Sequence, residues 1–181
     1  MARDSLSRKN LPSLGMRSTI PLLALALVAA CGSGDRGPSP AVQQAIGTAL
    51  AVAPPEELNY HPDLMVEIPA MRRLPTGVLV QDLAPGEGDT VGVGNTVTVR
   101  YTGWLPDGTK FDGNEDGAPI RFKVGVGMVI PGWDEGLIGM RAGGKRKLVI
   151  PPDQGYGADG SGPIPPNATL VFDVEVISRE P

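Results

Sequence analysis

Apolar and polar residues alternate in several short segments after Leu74, and this period of two is the pattern of strands with one buried face. The segment 96–101 (TVTVRY) is rich in β-branched residues and shows the alternation most clearly. A turn at 106–108 (PDG) follows it, because proline presets φ and an Asp-Gly pair accepts the left-handed conformation of tight turns. The pattern predicts strands over 78–83, 96–101, 120–124, 145–150 and 170–177.

One segment among these strands has helical periodicity. Trp133, Leu137 and Met140 are spaced i, i+4 and i+7, so they would form one apolar stripe on a helix. Pro131 fits the first turn, where its missing N–H is not needed, and acidic residues follow in the positive first turn. A single short helix beside an antiparallel sheet predicts an α+β domain in which the helix fills the concave face of the sheet.

The first thirty residues have the pattern of an export signal. Eleven uncharged residues, 20–30 (IPLLALALVAA), follow a basic region and end in small residues. This apolar run is too short to span a bilayer as a helix. Met16 begins a compact signal by itself, so the true start is either Met1 or Met16. We predict that residues 1–30 are a signal peptide.

The only cysteine, Cys31, directly follows this segment. Residues 27–31 (LVAAC) resemble the lipobox of bacterial lipoproteins, in which the cysteine is lipidated and becomes the mature N-terminus. The alternative is an ordinary signal peptide cleaved near Ala30, with Cys31 as an incidental thiol. Several acyl chains suffice for stable anchoring. Gly32 at the next position resembles outer-membrane lipoproteins, which implies an exported protein that is anchored through Cys31 and faces the periplasm.

A linker separates this anchor from the domain. Glycine, serine and proline dominate 32–40 (GSGDRGPSP), which is typical of a flexible linker. Residues 41–52 have some helical character, which Gly47 and the prolines that follow weaken. We expect 31–73 to be a largely disordered tether with at most a short helix, or alternatively a vestigial dimerisation arm. The domain itself is predicted to occupy 74–181.

Composition and charge exclude several kinds of chemistry. With one cysteine and one histidine, the chain can form no intrachain disulfide and no plausible His/Cys zinc site, and it has few residues for a catalytic triad. The net charge of −4 argues against nucleic acid as a partner. We therefore predict no metal and no cofactor. The basic run 145–147 (KRK) lies in an alternating strand, where it indicates a solvated face.

Five separated blocks resemble one protein family when they are taken together. They read YTGWL at 101–105, GTKFD at 108–112, VIPGW at 129–133, GYG at 155–157 and IPPNATLVFDV at 164–174. In this order and at these distances they resemble the FKBP (immunophilin) family of peptidyl-prolyl cis–trans isomerases, over about 74–181. The resemblance implies five or six antiparallel strands in a half-barrel around one short helix. It also implies an apolar cleft that binds proline, and isomerisation of Xaa-Pro bonds that assists folding in the cell envelope.

The resemblance also implies which residues form the cleft. Trp133 would lie under the prolyl ring, and the Ile130 N–H and the Tyr156 hydroxyl would donate hydrogen bonds to substrate carbonyls. Asp112 would lie at the rim and orient Tyr101. The implied catalytic residues are Tyr101, Asp112, Trp133, Tyr156 and Phe172. The implied substrate-binding residues are Phe111, Phe122, Val129, Ile130 and Ile164, with Tyr101, Phe122 and Phe172 as walls. The implied partners are proline-containing unfolded or partly folded polypeptides and macrolide inhibitors, besides the membrane through Cys31.

Three features depart from the family pattern. Ile120 stands where many members have an aromatic wall residue. The loop 113–118 is one residue short and lacks the arginine that often partners the rim aspartate, and the loop 159–163 is also one residue short. These departures leave two alternatives open: a non-catalytic module of the same fold that binds proline peptides, and a structural envelope lipoprotein that binds one partner.

Overall fold

The computed structural model describes residues 52–181. The predicted signal peptide at 1–30, Cys31 and almost all of the predicted helical segment at 41–52 lie outside the described residues. Within residues 52–181, none of the helices has the length and apolar character needed to cross a membrane.

Seven strands and one α-helix follow each other along the described chain. The strands are β1 (Arg72–Arg73), β2 (Leu79–Ala84), β3 (Thr96–Trp104), β4 (Lys110–Gly113), β5 (Ile120–Lys123), β6 (Lys145–Ile150) and β7 (Leu170–Glu180). The helix α1 spans Pro131–Gly136. Short 3-10 turns occupy Pro55–Glu57, Pro62–Leu64, Ile68–Ala70 and Pro152–Gln154.

All the strands belong to one antiparallel sheet. Their order is β1-β2-β6-β7-β3-β4, and β5 also pairs with β3. The α+β class, the antiparallel sheet and the single short helix are therefore confirmed. Each of the five strands predicted from alternation is present, whereas β1 and β4 are too short for a period of two to reveal them.

The helix packs closely on the sheet because two of its residues lack a side chain. A Cβ atom at Gly132 would lie 2.5 Å from Ile150, and one at Gly136 would lie 2.8 Å from Leu148, so α1 approaches β6 through its glycines. The helix ends at Gly136 and is shorter than the predicted apolar stripe. All three residues of that stripe are nevertheless buried, together with the inward residues of the sheet. The main core comprises Val78, Val80, Val91, Val97, Val99, Phe122, Val124, Trp133, Leu137, Met140, Leu148, Ile150, Ile164, Leu170, Phe172, Val174 and Val176.

The prediction of a solvated face at 145–147 is wrong for two of the three residues. Only the first is exposed, whereas Arg146 is 4% and Lys147 2% exposed. The Arg146 Nε–H donates to Asp82 on the neighbouring strand at 2.6 Å. Its Nη1 donates to the carbonyls of Gly136, the last residue of α1, and of Ile138 just after it. Lys147 contacts Asp173 directly across the β6–β7 ladder at 2.5 Å. Carboxylates on the neighbouring strands offset the free-energy cost of burying these two cations. Sequence periodicity cannot detect such cross-strand partners.

The second half of the segment predicted as a disordered tether is ordered and packed in the structure. Residues 55–73 form three 3-10 turns and β1, and the segment lies against the outer face of the sheet. The His61 N–H donates to the Pro106 carbonyl at 2.8 Å, which joins this arm to the turn between β3 and β4. A second core forms beneath it from Leu64, Leu79, Val149 and Val171, flanked by Tyr60, Val66, Ile68, Met71 and Trp104.

Candidate active site

An open cleft of about 240 Å³ lies between the helix and the sheet. Its walls come from β3, β4, β5 and β7, from the start of α1 and from the loop after Pro152–Gln154, so elements far apart in the sequence meet there. The lining residues are mostly apolar. They are Tyr101, Phe111, Asp112, Ile120, Met128, Val129, Ile130, Trp133, Tyr156 and Phe172.

Trp133 is the centre of the aromatic cluster in this cleft. The ring centroids of Tyr101 and Phe172 lie 4.9 Å and 5.3 Å from that of Trp133, both nearly perpendicular to it. Phe111 meets Phe172 edge-on at 5.4 Å. Edge-to-face pairs are a favoured arrangement of aromatic rings, and they fix each ring against its neighbours. The cleft therefore has rigid apolar walls.

The register between β3 and β7 places these rings. Tyr101 pairs with Val174, and Gly103 pairs with Phe172. Tyr101 and Gly103 share one face of β3 because side chains alternate along a strand. A Cβ atom at Gly103 would lie 2.7 Å from the Phe172 ring and 2.8 Å from the Phe111 ring. The glycine thus leaves the space in which the two phenylalanine rings meet.

A carboxylate and two phenols provide polar groups of the cleft. The Tyr101 hydroxyl donates to Asp112 Oδ2 at 2.7 Å, and the Gly113 N–H donates to Asp112 Oδ1 at 2.8 Å. Burial raises the pKa of Tyr101, and the hydrogen bond to the Asp112 carboxylate raises it further. Burial also raises the pKa of Tyr156, with a smaller contribution from the charge of Asp112. Both phenols therefore keep their protons to a higher pH than an exposed tyrosine does.

Two hydrogen-bond donors remain available at the cleft. The Tyr156 side chain is 39% exposed, and within residues 52–181 its hydroxyl has no hydrogen-bond partner. The Ile130 N–H likewise meets no acceptor in the described chain, although the Ile130 carbonyl accepts from Trp133 and Asp134 at the start of α1. Ile130 precedes Pro131 and is extended (φ −58°, ψ 145°), as residues before proline usually are. The proline thus holds Ile130 outside the helix, where its N–H can serve a ligand.

Comparison with known proteins assigns this fold and cleft to one family. A sequence model of the FKBP-type peptidyl-prolyl cis-trans isomerase family matches residues 88–177. An FK506-binding protein of Neisseria meningitidis serogroup B is 53% identical over 103 residues, which are 56% of this chain and 94% of the relative. The chain belongs to the FKBP-type peptidyl-prolyl cis–trans isomerase family.

Solved structures with similar sequences have the same fold. FkpA from Escherichia coli is 37% identical with a TM-score of 0.59, over 78% of this chain and 61% of that one. A peptidyl-prolyl cis-trans isomerase from Pseudomonas syringae pv. tomato is 35% identical with a TM-score of 0.57, over 82% of this chain and all of that one. The FKBP family binds proline-containing peptides and FK506-type ligands, and the activity class of this chain is Xaa-Pro isomerisation.

Eight of the ten predicted site residues line the FKBP cleft, and Phe122 and Ile164 are not among its lining residues. Phe122, predicted as a wall, is buried with its ring centroid 5.7 Å from that of Trp133, so it supports the tryptophan instead. Ile164 is also part of the main core. Both positions are apolar in the sequence, and only the packing distinguishes a core residue from a wall.

Two lining residues were absent from the predicted set. They are Ile120, which departs from the family pattern, and Met128, which is 63% exposed. An available signal was the position of Met128 directly before the Val129-Ile130 pair. Since both side chains are aliphatic and partly exposed, they extend the apolar surface at the mouth of the cleft.

Proposed function

We propose that this cleft catalyses the rotation of Xaa-Pro bonds in exported polypeptides, with the prolyl ring against Trp133. The observation that supports this most directly is the rigid aromatic enclosure around Trp133, which has free donors at its edge. Rotation about an Xaa-Pro bond must break amide resonance, with a barrier of about 18–20 kcal/mol. A thousandfold acceleration requires a reduction of only about 4 kcal/mol in that barrier.

The reaction makes and breaks no covalent bond, so the protein must favour the twisted amide over the planar one. The planar amide is the more polar of the two, and an apolar cleft that excludes water disfavours it. When fixed donors hold the flanking carbonyls, binding energy can stabilise the twisted amide relative to the planar one. In this chain the Ile130 N–H and the Tyr156 hydroxyl are suitably placed for that role.

The remaining cleft residues have supporting roles in this proposal. Phe172 and Tyr101 confine the prolyl ring from two sides, and Asp112 holds the Tyr101 hydroxyl in place. Ile120 and Met128 contact the residues beside proline at the mouth. We propose that FK506-type macrolides enter the same cleft, with less contact at Ile120 than an aromatic side chain would give.

Isomerisation of a set of Xaa-Pro peptides by the purified protein tests this function. Tyr156→Phe removes one donor and keeps the ring, and Phe172→Leu reduces one wall. Ile177→Leu, an exposed residue of the same strand as Phe172, is the control. We expect turnover to fall in both cleft variants and to remain in the control. Folded protein that binds the peptides without accelerating isomerisation would indicate a non-catalytic binding module. Folded protein that binds no proline peptide would indicate a structural lipoprotein.

We further propose that the protein is exported and anchored by lipid on Cys31 to the outer membrane, facing the periplasm. The apolar run, the small residues before the cysteine and the position of the only cysteine support this proposal. Mass spectrometry of the mature N-terminus tests it directly, and Cys31→Ser is expected to release the protein from the membrane fraction. An unmodified N-terminus beyond Ala30 would contradict it.

A further inference from the structure

One edge of β3 is shared by two short strands that leave a gap between them. β5 pairs with 96–99 and β4 pairs with 102–104, whereas β7 occupies the opposite edge along the whole strand. The chain between the two short strands, residues 114–119, leaves the sheet as a loop. Tyr101 lies in the gap, and the N–H and C=O that it directs to this edge need other partners, because unpaired backbone groups are costly away from water.

A single residue of that loop satisfies both groups. The Asn114 side-chain oxygen accepts from the Tyr101 N–H at 2.8 Å, and the Asn114 backbone N–H donates to the Tyr101 carbonyl at 3.0 Å. The amide nitrogen of the same side chain donates to the Ala118 carbonyl at 3.1 Å and to the Val99 carbonyl at 3.4 Å. The carboxamide thus replaces a missing peptide group of the ladder and also closes the loop on itself.

These bonds lie directly behind the polar rim of the cleft. The Tyr101 hydroxyl donates to Asp112, and Asp112 is two residues before Asn114 on the same chain segment. Asn114 is not among the residues that line the cleft. It therefore fixes both members of the rim pair, the backbone of Tyr101 and the end of β4, from outside the cleft.

We propose that Asn114 is a positioning residue of the isomerase reaction, which holds Tyr101 beside Asp112 at the gap between β4 and β5. The inference rests on the role proposed for Tyr101 in the cleft. An asparagine suits this place because its carboxamide combines an acceptor and a two-proton donor in one planar group. Aspartate keeps the acceptor and loses the donor, and alanine loses both.

Asn114→Ala and Asn95→Ala form a matched pair for the first measurement. The side-chain oxygen of Asn95 also accepts a loop N–H at 2.8 Å, from Gly92, and that loop contributes no residue to the cleft. Losing the Asn114 bonds should lower kcat/KM by about tenfold, the order of one lost hydrogen bond. Asn95→Ala should lower the melting temperature with kcat/KM unchanged. Equal kcat/KM in both variants, each shown to be folded, would overturn the proposal.

Hydrogen exchange at the Tyr101 amide provides a readout that is independent of turnover. We expect this amide to exchange faster in Asn114→Ala and to stay protected in Asn114→Asp, where the acceptor is kept. An unchanged exchange rate in Asn114→Ala would contradict the proposed bond. If the alanine variant does not fold, Asn114→Asp still tests the proposed bond, because it removes only the side-chain donor and keeps the acceptor for the Tyr101 N–H.

A double-mutant cycle with Tyr101→Phe separates this inference from the proposed function. If Asn114 acts through the Tyr101 hydroxyl, Asn114→Ala should have little further effect on kcat/KM in the Tyr101→Phe background. Additive effects would overturn the role of Asn114 while leaving that of Tyr101 intact. Unchanged kcat/KM in Tyr101→Phe alone would instead show that the Tyr101–Asp112 bond does not affect turnover. That result would overturn this inference, and the proposed function would stand, because phenylalanine keeps the ring that confines proline.

Discussion

The wall of the cleft depends on the missing side chain of Gly103. The Phe111 and Phe172 rings occupy the volume that a Cβ atom would need, and the Phe172 ring is also held by its contact with Trp133. The Phe172 ring cannot move aside without disturbing Trp133 or the β3–β7 ladder. At the scale of single residues, catalysis and stability therefore depend on the same packing.

Gly103→Ala should reduce both the free energy of unfolding and kcat/KM. Overpacking of this kind costs about 1–3 kcal/mol in well-packed cores, and the displaced rings narrow the cleft. Gly117→Ala is the control, since its nearest atoms would lie at the ordinary distance of 3.8 Å. Urea denaturation and peptide isomerisation measure the two effects. A Gly103→Ala protein with wild-type values for both would show that the rings relax freely.

At the scale of elements, β6 is held to its neighbours by buried charge as well as by apolar packing. Arg146 points to the inner side of the sheet and Lys147 to the outer side, and each contacts a carboxylate on the adjacent strand. The Lys147 ammonium also lies 5.9 Å from the centre of the Trp104 ring. These contacts join β2, β6 and β7 at the strands that support the helix.

Asp173→Ala should be strongly destabilising, because it leaves the buried Lys147 ammonium without its close partner. Removing one member of a buried ion pair typically costs about 3–5 kcal/mol. The comparison is Glu180→Ala, which breaks the exposed pair with Arg121 and should cost less than about 1 kcal/mol. Chemical denaturation of both variants checks the difference. Similar small losses in the two proteins would mean that Lys147 reaches water.

The arm at 55–73 acts as a structural element of the domain. Leu64 is 4% exposed and belongs to the second core on the outer face of the sheet, opposite the helix. The cleft draws none of its lining residues from this arm. The arm therefore affects stability and leaves the geometry of the cleft to the inner face.

Leu64→Ala should destabilise the fold with little change in the kcat/KM of the folded protein. A buried leucine that is replaced by alanine costs about 2–5 kcal/mol. Met65→Ala, at an adjacent residue that is 72% exposed, is the control and should change little. Thermal melting and isomerase assays well below the transition distinguish the two effects. An unaltered melting temperature would favour the tether that the sequence suggested for this segment.

For the whole molecule, the three tyrosines set the response to alkaline pH. Burial raises the pKa of Tyr60, Tyr101 and Tyr156 above the ordinary value of 10.0. Above that pH the unfolded chain loses tyrosine protons that the folded protein retains. The unfolded state then binds fewer protons, so the free energy of unfolding falls as the pH rises.

Tyr60→Phe should make this fall less steep above pH 10. The substitution removes one of the three raised groups together with its hydrogen bond to the Pro55 carbonyl, so the slopes rather than the absolute stabilities must be compared. Urea denaturation of both proteins at several pH values between about 8 and 11 gives the slopes. Parallel curves for the two proteins would show that Tyr60 does not contribute.

Much of the fold and most of the cleft could be predicted from the sequence. The five alternating strands and the apolar stripe of the helix depend on local periodicity, and the conjunction of separated motifs identified the family. The arm was missed as a packed element because irregular 3-10 turns have no apolar period. Met128 was missed because only the surface of the folded protein shows that this exposed apolar residue lies at the mouth of a cleft.

The sequence by itself determined the class of fold, because strand alternation is a local property, and the resemblance of its motifs to one family implied the aromatic composition of the cleft and the kind of reaction. Only the tertiary structure decided that Lys147 is buried against Asp173, that Phe122 supports Trp133 from behind, and that Asn114 completes the edge of β3. Each of these depends on which residues meet across the sheet. Cross-strand register sets those meetings, and no local pattern specifies it.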